Sequence, residues 1–166
     1  MTVSPQDFDF DKWLDDADRP ERAVTVYQKA GLIADLDRLE QQIVNADDDE
    51  VDGPSMGGGA GKLRAEYAKV AKQFHDSALT IQVQGHSDEE KRAFLADNPE
   101  GVVYSVLADA ITSPKIKVDQ VKRLEKKIGP AQFGLILHAY HQASTEVPVV
   151  SADFLPKPST RGDGGE

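Results

Sequence analysis

Four histidines, a glycine run ending in lysine and a scatter of carboxylates are the residues from which this chain could build a reaction site. Of His75, His86, His138 and His141, only His138 and His141 lie three apart, a spacing that puts both on one helical face. A zinc centre needs at least three protein ligands, and the chain has no cysteine and no His-Glu-x-x-His motif. The histidines therefore read as partly exposed helix residues. Gly57 to Lys62 invites comparison with a phosphate-cradling loop. That motif, however, needs a glycine where Met56 stands and a Ser or Thr where Leu63 stands, and it should follow a strand rather than an acidic stretch. The serines have no strand–turn–helix context for a nucleophile, and no two carboxylates stand out as an acid–base couple. Arg161-Gly162-Asp163 reads as a chance match to an adhesion tripeptide. No enzyme, cofactor or metal is expected.

Composition narrows the class further. The chain has 166 residues, of which 39% are hydrophobic and 29% charged, enough for a modest core with room for unstructured parts. A net charge of −10 argues against a nucleic-acid partner, because phosphate binding is driven by basic side chains that displace counterions. The acidic start MTVSPQDFDFDKW lacks the basic and apolar regions of a secretory signal. No run approaches the ~20 apolar residues that span a bilayer. The expectation is a soluble intracellular protein with no membrane partner.

The elements that position these residues follow from periodicity. Residues 1–22 form an acidic–aromatic segment in which Phe8, Phe10, Trp13 and Leu14 sit among Asp7, Asp9, Asp11, Asp15, Asp16 and Asp18. Either these aromatics pack onto the core with the acids in water, or the segment docks on a partner. Residues 23–85 read as strand, helical hairpin and strand. Ala23–Tyr27 alternates as a strand with Val24 and Val26 on one face. Leu32, Leu36, Leu39 and Ile43 stripe a first helix, and Leu63, Tyr67, Val70 and Phe74 stripe a second. Between them, 46–61 is acidic and then Gly-rich, and reads as a flexible linker. The two stripes either pack on each other or form the walls of a partner groove. Leu79, Ile81 and Val83 share one face of the second strand.

Residues 86–146 read as a C-terminal helical domain. Gly85-His86 turns the chain, and Ser87 with Glu90 has the form of a capping box. Ala93, Phe94 and Leu95 are expected to face inwards before Asn98-Pro99 stops the helix. A helix over 102–111 presents Val103, Val106, Leu107, Ala110 and Ile111, and Ser113-Pro114 breaks it. Asp119 can cap the next helix, Gly129-Pro130 gives a stop followed at once by a start, and Phe133, Ile136, Leu137 and Tyr140 form the last stripe. Residues 147–166 read as an extended tail. The fold class is mainly α: a helical hairpin with a small two-stranded β element, then a compact C-terminal helical bundle.

Two features suggest binding. Val147, Val149, Val150, Phe154 and Leu155 of the tail are suited to add a strand to a partner or a second copy, and Phe8, Phe10 and Trp13 to dock similarly. Lys115, Lys117, Lys122, Arg123, Lys126 and Lys127 make one region basic within an acidic chain. That region is either a solvated helix face or a docking surface for an acidic segment, such as the Asp-rich N-terminus of the same or a neighbouring chain.

The order of these segments resembles a known family. LTIQVQG, SDEEKRAFLADNP, VVYSVLADAITSP, VDQVKRLEKKI, GPAQFGLILHAYHQAS and VPVVSADFLPKPS follow one another, after an opening FDFDKWLDDADRPERAVTVYQKAGLIADLDRLE. Together they resemble the tail assembly chaperones of long-tailed, siphovirus-type bacteriophages, particularly those infecting actinobacteria. Asn98-Pro99-Glu100 departs from the family, whose members often have His-Pro and a second proline there. The resemblance implies a non-catalytic protein of the host cytoplasm, absent from the finished virion. It would bind the tape measure protein, assist polymerisation of the tail tube protein and form a homo-oligomer. It also implies a longer product made by ribosomal frameshifting, for which Gly164-Gly165-Glu166 suits a G-rich slippery run. The alternatives are a structural tail or head–tail connector component of the virion, and a small regulatory or anti-host binding module.

Overall fold

The computed structural model describes residues 8–51 and 59–150. Helix predominates among the described residues, which makes the class mainly α, and the β element is a three-stranded antiparallel sheet. The elements run α1 (Phe10–Asp15), β1 (Glu21–Tyr27), α2 (Leu32–Val51), α3 (Gly59–His75), β2 (Ala78–Gln84), α4 (Asp88–Asp97), α5 (Val102–Ala110), β3 (Ile111–Ser113) and α6 (Val118–Thr145). Strand order is β1-β2-β3.

The expected two strands pair, with Val24 opposite Ile81 and Val26 opposite Leu79. The third strand corrects the two-stranded expectation. Ile111, expected to end a helix, leaves α5 in extended conformation and pairs with Val83, while Ser113 pairs with Gln82. The pull is burial: Ile111 and Val83 are both at 0% exposure, and a strand aims Ile111 into the sheet's covered face. Pairing places Ile81, Val83 and Val26 on that face, where Leu107, Val121, Phe133 and Ile136 close over them. The opposite face, carrying Thr25 and Thr80 with their hydroxyls 3.2 Å apart, stays open to solvent.

β1 and β2 are separated in sequence by the hairpin, which carries α2 and α3 away from the sheet. Its base is tied by the Gln28 N–H donating to the Ser77 carbonyl and by Tyr27 stacked on Phe74 at 4.2 Å. The two sequence stripes are the half-buried and buried residues of this pair, with Leu39 at 1% exposure, so they face each other and are not free groove walls. The linker expected at 46–61 is shorter. Residues 46–51 continue α2, α3 already begins at Gly59, and only 52–58 lie outside the described residues. Ala60 is buried, and Arg64 pairs with both carboxylate oxygens of Asp47, which extends the hairpin past the expected helix ends.

Capping follows the sequence closely in one place and departs from it in another. Ser87 accepts from the Glu90 N–H while Glu90 accepts from the Ser87 N–H at 2.8 Å, the reciprocal box expected. Asp119 lies inside the first turn of α6 instead of capping it, and the cap position is Lys117. Gly129, at φ 80 and ψ 169, breaks α6 into two helices at Gly129-Pro130. Gly85 is required for close approach: a Cβ there would stand 2.4 Å from the Ala143 carbonyl oxygen and 2.8 Å from the Ser144 Cα, both fixed backbone. Gly85→Ala is therefore expected to destabilise by about 1–3 kcal/mol or more, since β2 must move off α6. Leu107→Ala, which empties a buried leucine site, should cost about 2–5 kcal/mol. Urea titrations of both variants measure this.

Candidate interaction surfaces

The residues that looked most chemical are tied into structure. His86 is not a helix residue. It sits buried in the turn between β2 and α4, with Nδ1 3.1 Å from the Tyr140 hydroxyl and Nε2 2.8 Å from an Asp109 carboxylate oxygen. A proton on Nε2 is donated to Asp109, leaving Nδ1 to accept from Tyr140. An Asp–His pair is part of a hydrolytic triad, but the third group here is a phenol. Ser144 instead accepts from the His86 backbone N–H and donates to the Tyr140 carbonyl at 2.9 Å. The cluster ties the turn to α5 and α6 and leaves no activated nucleophile. Burial pushes the Tyr140 phenol above its ordinary pKa, and the Glu125 carboxylate that accepts from Tyr104 at 2.6 Å does the same to Tyr104. Among the described residues, no group of three or more His, Asp or Glu is placed to hold a metal ion, and no helix is long and apolar enough to cross a membrane. His75, His138 and His141 are exposed on helices, as expected.

Three surfaces remain that could meet a partner. The first is the N-terminal segment. α1 starts at an Asp9 cap that accepts from the Lys12 N–H at 3.1 Å, and it buries no residue. Phe8, Phe10 and Trp13 are brought together, with ring centroids 5.9–6.3 Å apart, yet Trp13 remains 54% exposed. The aromatics pack on each other and not on the core. The segment is held at its end by Arg19, which makes two hydrogen bonds to Glu90 at 2.7 and 2.9 Å.

The second surface lies on α4, α5 and α6. Phe94 turns inwards beside His86, but its neighbours Ala93 and Leu95 are exposed, which corrects the expectation that all three face the core. Val103 and Leu137, expected in core stripes, are also exposed. Leu95, Val103 and Leu137 rim an apolar pocket of about 270 Å³. Val102, Val103 and Leu137 also line a second pocket of about 430 Å³ beside Tyr104, so the two adjoin. The doubled apolar pairs Phe94-Leu95 and Val102-Val103 were the available signal, since one helix face cannot bury both members.

The third is a groove of about 800 Å³ where the hairpin meets the sheet. Its floor is Val26, Leu79, Ile81 and Ile111, and Leu124 and Ile128 of α6 form a wall. Leu79 is on the covered face of β2 as expected, yet is 43% exposed because α6 does not reach over it. The exposed Arg123 and Lys127 also line the groove, as does Asp76, which is paired with Lys72. The basic region therefore divides. Lys115 donates to the carbonyls of Ala108, Asp109 and Ile111 and so caps the C-terminal end of α5. Lys122 lies 5.7 Å over the Tyr104 ring. Arg123 and Lys127 have no ion-pair partner among the described residues.

The tail residues are only partly described. Val147, Val149 and Val150 have no regular structure and are 75–80% exposed, and Val147 lines a small cleft with Arg19, Pro20 and Gly85. Phe154 and Leu155 lie outside the described residues.

The Ser87 backbone N–H and the Arg19 guanidinium together hold the Glu90 carboxyl down from 4.5 to about 2. A depressed carboxyl stabilises the attached segment at pH values above about 4.5, and that contribution is lost as pH falls towards 2. Amide-exchange protection at residues 17–19, 21 and 22, taken relative to the intrinsic rate at each pH, is expected to fall as pH drops through this window, and Glu90→Gln should remove that pH dependence.

No family model, no curated protein and no solved structure matches the chain.

Proposed function

We propose that this protein is a non-catalytic tail assembly chaperone of a long-tailed bacteriophage, acting in the host cytoplasm on the tape measure protein and on tail tube assembly. The observation that carries the reading is the exposed apolar surface of Leu95, Val103 and Leu137 on an acidic protein. Such a surface suits the apolar stripe of a client helix, with side chains entering the two adjoining pockets. The chain's net charge of −10 keeps the complex soluble while the client waits to be packaged. The segment order that resembles this family supports the same assignment, and the Asp–His–Tyr cluster beneath the surface holds α4, α5 and α6 in place.

Co-expression with the tape measure protein tests this. The tape measure protein is expected to be soluble with this chain and insoluble without it. Leu95→Asp/Leu137→Asp, both at exposed positions, should abolish the solubilising effect while preserving the fold measured by circular dichroism. Equal insolubility of the client with and without the wild-type chain would reject the assignment. Purified virions are expected to lack the protein, and a fixed copy number in particles would favour a structural tail component instead.

A further inference from the structure

We infer that the groove at the base of the hairpin receives the N-terminal aromatic segment of a second copy of this chain, so that two copies exchange arms. The groove and the arm are complementary in two independent ways. The groove floor is apolar and open at Leu79, and the arm presents Phe8, Phe10 and Trp13 as a cluster attached to no core. The groove also carries Arg123 and Lys127 without carboxylate partners among the described residues, while the arm carries Asp9, Asp11, Asp15 and Asp16 against a single Lys12. Both match only when brought together.

Geometry selects a second copy over the arm's own groove. The chain enters β1 at the end of the sheet where Glu21 pairs with Gln84, and the Pro20 carbonyl accepts from the Gly85 N–H there. The groove is at the other end, where Tyr27 pairs with Ala78. A seven-residue strand separates the two ends by ~20 Å. With Arg19 clamped to Glu90, the arm stands clear of its own groove: none of its residues lines it, and Trp13 stays 54% exposed. Two reciprocal insertions about a two-fold axis close the assembly at a dimer.

The backbone supports an edge-on partner as well. The Ser77 carbonyl faces β1 and the Gln82 carbonyl faces β3, where it accepts from the Thr112 hydroxyl, so alternate residues of β2 present their polar groups to opposite sides. By this alternation Ala78 and Thr80 point theirs towards the side where β3, only three residues long, has already ended. An arriving arm can take hydrogen bonds there in addition to seating its rings.

Trp13 is the only tryptophan in the chain, which makes the arm its own reporter. Sedimentation velocity and tryptophan emission of the full chain are measured across a dilution series. The expected result is a dimer whose emission is blue-shifted, dissociating and red-shifting on dilution and in high salt. Arg123→Glu/Lys127→Glu in the groove and Phe8→Ala/Phe10→Ala in the arm, all at exposed positions, should each weaken dimerisation at least tenfold with unchanged circular dichroism. Mixing these two variants should restore association, because one intact arm then meets one intact groove. The inference is overturned by a chain monomeric at every concentration, by a dimer indifferent to both variants, or by no recovery on mixing. A concentration-independent blue shift that the groove variant abolishes would place the arm in its own groove and also overturn it. The tape measure protein is absent throughout, so the outcome is separate from the chaperone assignment.

Discussion

The structure depends on one covered sheet face. Three short strands and two helices are each too small to bury apolar surface alone, and stability comes from closing α5 and α6 over the inward residues of β1, β2 and β3. Val83, Ile111, Val121 and Ile136 at the centre of this contact have no exposed surface. β2 is held between two neighbours, and Gly85 lets its end run against the α6 backbone. The outer edge of β1 is closed in part by a side chain: the Gln132 amide accepts from the Tyr27 N–H at 2.6 Å and donates to the Tyr27 carbonyl at 3.1 Å, as a neighbouring strand would.

Where that cover stops, apolar surface lies open. β3 ends at Ser113 and α6 starts only at Val118, so the sheet is left open over Leu79. The helices that cover the sheet also turn residues outwards, because α5 and the second half of α6 are apolar on more than one face. Val103 and Leu137 are the excess. The buried polar cluster of His86, Asp109 and Tyr140 matters here as scaffold: each ring nitrogen has a partner, and the three groups bind the β2–α4 turn to α5 and α6. Charge is distributed with similar economy. Lys115 completes a helix end, Arg19 and Glu90 fasten the N-terminal segment, and Arg123 and Lys127 line a groove in a protein with net charge −10.

Local chemistry made much of this legible in the sequence. The two hairpin stripes, the alternation of Leu79, Ile81 and Val83, the Ser87–Glu90 box and the Gly129-Pro130 break depend on neighbours within a few residues, and each forms where its pattern places it. The errors have a common origin in distant partners. Ile111 belongs to a helix by local pattern and to a strand by its pairing with Val83. The acidic end of α2 looks like linker until Arg64 arrives to pair with Asp47. His86 looks like one more solvent-facing histidine until Asp109 and Tyr140, 23 and 54 residues away, enclose it.

The candidate surfaces divide along the same line. That Phe8, Phe10 and Trp13 form an acidic–aromatic segment, and that 115–128 is basic, is a matter of composition and was determined by the sequence alone. Which cations lack an ion-pair partner among the described residues was decided only by tertiary structure, because Lys115 is taken up by carbonyls of α5 while Arg123 and Lys127 line an open groove. The same holds for the apolar residues. Periodicity shows that a residue is on an apolar face, but whether another element covers that face depends on where each strand and helix ends. Leu79 and Ile81 carry the same signal two residues apart. Ile81 is buried and Leu79 lies open, because the helices that cover the sheet face reach the one and not the other.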